Sequence, residues 1–297
     1  NPAPPSATAT GGTITCNSPT VTLNASSTTP NVTYSWVGPC INASNQNLKN
    51  PVVCVAGAYT VTITNPVNGC TNTATASVTE NTVIPTVPIA SPAVITCATP
   101  VVTLSASGTG NVTYSWTGPC FTSSTQIANP QVCEPGTYTV VATNTTNGCT
   151  SSNSVTVQSD VVIPTAEVAP PEHLNCNNTV VQLNGTGSST GAEYTYEWST
   201  TSGHILSGNS ALIARADQEG PYRFVVTNTS NGCTSEVLVN VVESDPVTAS
   251  ATSSAALCAG ASSGSAAVTP GGGTAPYTFV WSNGSTNSIA TGLIAGT

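Results

Sequence analysis

Apolar and polar residues alternate with a period of two along most of this chain. In Val32-Thr33-Tyr34-Ser35-Trp36 the apolar side chains fall on one face and Thr33 and Ser35 on the other, the signature of a half-buried β-strand. The pattern returns in VTLNAS at 21–26, YTVTIT at 59–64 and ATASVT at 74–79, with Asn-Gly or proline-containing turns between. No window carries a helical period, so the chain is predicted to be all-β.

The pattern also repeats at long range. VTYSWVGPC, ending at Cys40, recurs as VTYSWTGPC, ending at Cys120, and Trp36, Trp116, Trp198 and Trp281 recur about every eighty residues. Cys16, Cys97, Cys176 and Cys258 keep the same step, as do Tyr59, Tyr138 and Tyr222, and the Asn-Gly-Cys turns at Cys70, Cys149 and Cys233. These markers predict repeats at 1–81, 82–161, 162–245 and 246–297, the third divergent and the fourth cut short, as in a window on a longer polypeptide. Several short strands around one tryptophan predict an immunoglobulin-like sandwich for each, with Trp36, Trp116, Trp198 and Trp281 in the cores.

Composition narrows the function. Charged residues make up 5% of the 297, and the formal charge is −9. The three bases, Lys49, Arg215 and Arg223, make no stripe for phosphates, which excludes nucleic-acid binding. A hydrophobic share of 38% argues against disorder, and no run of about 18 apolar residues predicts membrane insertion. Eleven cysteines without CxxC spacing point to an oxidising, extracellular setting.

Repeats one and two hold four cysteines each, which allows three pairings apiece. Repeat three keeps only the first and last, Cys176 and Cys233. The parsimonious scheme closes each repeat on itself: Cys16 to Cys70, Cys97 to Cys149 and Cys176 to Cys233, with inner clips Cys40 to Cys54 and Cys120 to Cys133. In the chain-entropy account such outer loops contribute about 4 kcal/mol and the inner ones about 3. A bridge across each repeat would pass tension through a covalent shortcut. The junctions carry VIPT at 83–86 and 162–165 with further prolines nearby, which predicts stiff connectors and a head-to-tail rod, roughly 40 Å per repeat at strand rise.

Candidate chemistry is sparse. His173 and His204 stand outside the repeated register and belong to no GxSxG or HExxH motif, so neither an enzyme nor a cofactor is expected. Glu243 and Asp245 are the acids close together at a junction, too few to predict calcium. The alternative to a purely structural role is a ligand-binding module for carbohydrate or protein in repeat three, with His204, Arg215 and Arg223 in its loops among Glu193, Glu197, Asp217 and Glu219. A Thr/Ser/Asn surface with few edge lysines also predicts side-by-side bundling of copies into a fibre.

Residues Cys258–Thr297 carry Cys-x-Gly, then a GGT-x-PY strand, then Trp-Ser-x-Gly, then Gly-Leu-x-x-Gly-Thr. This stretch resembles the SprB-type repeat of giant cell-surface adhesins in gliding Bacteroidetes, and repeats one to three resemble the Ig-like or PKD-like modules that accompany it. The resemblance implies export by the type IX system and a role in attachment, gliding or cell contact. The expectation is a structural, force-carrying segment of a long extracellular adhesin or fibre.

Overall fold

A computed structural model describes residues 3–258, 260–273 and 275–294. Ala259, Thr274 and Ala295–Thr297 of the final motif lie outside the described residues. The chain divides into two units, Asn1–Ile95 with Thr99–Asp160, and Thr96–Ala98 with Val161–Thr297.

The first unit holds two sandwiches. In repeat one, strands Thr13–Thr15, Thr71–Asn81, Gly57–Thr64 and Thr33–Val37 lie side by side in that order. All neighbours are antiparallel except Thr13–Thr15, which runs parallel to the end of Thr71–Asn81, with Ile14 opposite Glu80. Facing this sheet are the short pairs Thr8–Thr10 with Asn24–Ser26 and Val21–Thr22 with Val52–Val53. Alternation decides what is buried: Tyr59, Val61 and Ile63 point inward from one strand and meet Trp36, Leu23 and Val53. Repeat two repeats the plan with strands Val112–Thr117, Gly136–Asn144 and Thr150–Val157. Its core joins Trp116, Tyr138, Val140 and Ala142 to Leu104 and Val132 of the facing layer.

The second unit holds a third sandwich. Strands Tyr194–Thr200, Gly220–Asn228 and Thr234–Val241 face Val181–Asn184, Ile213–Ala216 and Ile205–Ser207. Trp198 and Phe224 pack in its core with ring centroids 4.3 Å apart.

The same two polar anchors hold each sandwich. The indole N–H of Trp36, Trp116 and Trp198 donates to the carbonyls of Lys49, Ile127 and Ala211. The hydroxyl of Tyr59, Tyr138 and Tyr222 donates four residues back, to Val55, Glu134 and Gln218, in the manner of a tyrosine corner. Burial raises the pKa of Tyr59 above its ordinary value. Tyr222 is raised as well, chiefly by burial and further by the charge of Asp217, against two backbone hydrogen bonds that lower it.

The fourth repeat departs from the expectation. Thr248–Ser254, Gly264–Gly271 and Ile289–Leu293 form a three-stranded sheet, but Trp281 is only half-buried. It lies at a turn, its indole N–H bonded to the Asn287 carbonyl, and neighbouring Val280 is 88% exposed. Among the described residues no second sheet faces this one, so the tryptophan has nothing to close over it.

Candidate functional site: covalent junctions between repeats

The site begins with two local structures that the sequence repeats. The first is a turn after the opening strand, closed by Thr15 N–H to the Ser18 carbonyl and Ser18 N–H to that of Thr15, with Cys16 and Asn17 at its tip. The second is the Asn-Gly-Cys hairpin. In repeat two Gly148 N–H donates to Asn144 and Asn144 N–H to Cys149. Asn65 and Cys70 close the equivalent loop of repeat one, and Asn228 and Cys233 that of repeat three.

The structure brings the turn of one repeat onto the hairpin of the next. Cys16 is bonded to Cys149, 133 residues away, with Cα atoms 5.0 Å apart. Cys97 is bonded to Cys233, 136 residues away, at 4.9 Å. Cys97 therefore groups with the second unit although the residues on either side of Thr96–Ala98 belong to the first. The inner cysteines form Cys40–Cys54 and Cys120–Cys133 within their own repeats.

The outer scheme expected from the sequence, Cys16 to Cys70, Cys97 to Cys149 and Cys176 to Cys233, is thus corrected. The reason is strand direction. Thr13–Thr15 runs parallel to the last strand and pairs with Thr79–Asn81 at its far end, whereas Cys70 precedes its start at Thr71. An eleven-residue strand at about 3.3 Å per residue separates the two sulfurs by roughly 35 Å, far beyond the roughly 7 Å between Cα atoms that a disulfide tolerates. Leu174 pairs with Glu243 in the same parallel sense, which sets Cys176 equally far from Cys233.

Around each disulfide the contacts are specific. Asn147 is 1% exposed, and its side chain is fully used: Nδ2 donates to Asn81 Oδ1 at 3.1 Å and to the Val83 carbonyl at 3.0 Å, while Oδ1 accepts from Cys149 N–H at 2.9 Å. Asn17 N–H donates to the Asn147 carbonyl. Asn231, also 1% exposed, donates to the Val162 carbonyl at 3.1 Å and accepts from Cys233 N–H at 2.9 Å, and Ala98 N–H reaches its carbonyl. Gly232 has φ +72°, and a Cβ there would stand 2.5 Å from that of Ala98. The junctions thus join a cystine, a buried asparagine and a glycine. Asn-Gly-Cys reads in the sequence as a repeated turn; burial of its asparagine and glycine against the neighbouring repeat is what the structure adds.

The residues of the expected ligand loop do not converge. His204 Nδ1 lies 2.7 Å from Asp217 Oδ1. Arg223 donates through Nε to Glu236 at 2.7 Å. Arg215 and Arg223 alternate with core residues, Ala214 and Ala216 in one layer and Tyr222 and Phe224 in the other, so they point outward from opposite faces of the sandwich. Among the described residues no group of three or more His, Cys, Asp or Glu side chains is placed to hold a metal.

Residues 250–286 match the SprB repeat family. No curated protein matches the chain. Among solved structures, a titin I-band fragment is 14% identical over 81% of this chain and 99% of its own, with a TM-score of 0.36. The three N-terminal domains of the bacteriophage RB49 highly immunogenic outer capsid protein are 15% identical over 81% and 99%, at 0.32. The N-terminal eight Ig domains of Down syndrome cell adhesion molecule are 11% identical over 99% and 44%, at 0.29. With superpositions this loose, the Ig-like assignment rests on the strand order and cores above. The described chain is a disulfide-stapled series of Ig-like β-sandwiches followed by a stretch, 250–286, that is similar to the SprB repeat family.

Proposed function

We propose that this chain is a structural segment of a long extracellular repeat adhesin, which projects from a cell and carries tension to the surface or cell it meets. The observation that supports the reading most is the crossing of the outer disulfides from each repeat to the next. Tension entering ahead of Cys16 passes through sulfur to Cys149 without loading the backbone of repeat one. From there it reaches Cys233 by the backbone between Cys149 and Cys97 and a second cystine. A chain held this way has a short covalent path whatever happens to its sheets. The SprB repeat and the cysteine usage agree with an exported protein. Proline-containing junctions favour repeats strung in line, and uncharged strand edges favour lateral association of copies.

Pulling single molecules between handles fixed ahead of Cys16 and beyond Cys233 tests the reading. At about 3.5 Å per residue, the reach between those cysteines is roughly 180 Å oxidised and roughly 750 Å reduced. An oxidised chain that extends as far as a reduced one contradicts it.

A further inference from the structure

We propose that the turn carrying Cys176 is a docking site for the Asn-Gly-Cys hairpin of the repeat that follows in register, and that Cys176 closes a disulfide with that hairpin's cysteine. The turn is already built. Asn175 N–H donates to the Asn178 carbonyl at 2.9 Å and Asn178 N–H to that of Asn175 at 3.1 Å, as Thr15 and Ser18 do around Cys16. It is seated in the same way, with Leu174 in parallel register with Glu243 where Ile14 is with Glu80. The two cysteines that share its register, Cys16 and Cys97, are both bonded to the hairpin of the next repeat. Cys176 is a free thiol, and it is exposed.

A cavity marks where the hairpin would sit. It measures about 380 Å³; Asn175, Cys176, Ser244 and Pro246 are among the residues that line it, with Val247 and Gly273 of the fourth repeat. With Glu243 in the place of Glu80, Ser244 and Pro246 occupy the places of Asn81 and Val83, the two residues that accept hydrogen bonds from buried Asn147. The space thus stands where an asparagine side chain enters in the first unit. Charge is no obstacle, since an Asn-Gly-Cys loop is neutral.

Steps of 133 and 136 residues, as observed from Cys16 and Cys97, put the proposed partner of Cys176 past Thr297. Closing the bond removes two protons and two electrons from the two thiols. A disulfide-exchanging oxidant takes both and leaves as a pair of thiols.

The test uses the polypeptide as the cell makes it, purified with an alkylating agent in every buffer and no reductant, then digested and mapped by mass spectrometry. The proposal expects the Cys176 peptide joined to an Asn-Gly-Cys peptide at that step, and separated from it by reduction. An alkylated Cys176, a link to Cys258, or a link to the Asn68–Cys70 loop of a second copy overturns it. In the Cys176→Ser variant, Cys16–Cys149 and Cys97–Cys233 stay closed while the partner hairpin gains one alkylated cysteine. No added alkylation there also overturns the proposal.

Discussion

The Asn-Gly-Cys hairpins of repeats one and two have the same backbone hydrogen bonds and nearly the same glycine φ, +71° at Gly69 and +74° at Gly148. Their surroundings differ. Asn147 is buried under the turn of the preceding repeat, whereas Asn68 is exposed and Val67 beside it is 89% exposed. A Cβ on Gly69 would meet nothing within 4 Å, while one on Gly148 would collide with Asn17. The hairpin is therefore complete before anything covers it. Burial of its asparagine comes from the neighbouring repeat, so the Asn-Gly-Cys motif is a preformed plug and the cysteine turn its socket.

The largest way to break that comparison is to remove the staple. Replacing Cys16 and Cys149 together with serine frees a loop of 133 residues, a loss of about 5 kcal/mol in the chain-entropy account. Loss of the Cys40–Cys54 clip, with a separation of 14, costs about 3 kcal/mol. Chemical denaturation of the two double variants should keep that order. Next is the plug itself. Asn147→Ala leaves Cys149 N–H and the Val83 carbonyl without their partner and should cost about 2–3 kcal/mol, whereas Asn68→Ala should cost less than about 1.

Glycine substitutions sharpen the contrast further. Gly69→Ala and Gly232→Ala share the strain of a left-handed residue, about 1 kcal/mol. Gly232→Ala adds the collision with Ala98, worth about 1–3 kcal/mol more, and should melt at the lower temperature of the two. The smallest effect is on pH. Tyr59 and Tyr222 have pKa values raised above 10.0 in the fold, so it favours their neutral form. Their contribution is fully present below pH 10.0 and is lost as pH rises through the folded values. An ultraviolet titration should show tyrosines that ionise late, with stability falling as they ionise.

Alternation and repetition made the strands and the cores around Trp36, Trp116 and Trp198 legible in the sequence, because inward residues such as Tyr59, Val61 and Ile63 alternate along their strand. The outer pairing was not legible by parsimony. Closing each repeat on itself ignores that a parallel first strand carries Cys16 to the opposite end of the sandwich from Cys70. Trp281 keeps the register of the other tryptophans, yet register alone does not supply a facing sheet. His204, Arg215 and Arg223 are near in sequence, but strand alternation and the two-layer fold send the arginines to opposite faces.

The central claim is that the outer cystines tie each repeat to the next. Peptide mapping of the oxidised chain without reductant reads it directly: the account predicts one linked pair holding Cys16 and Cys149 and another holding Cys97 and Cys233. A pair linking Cys16 to Cys70, or Cys97 to Cys149, would contradict it.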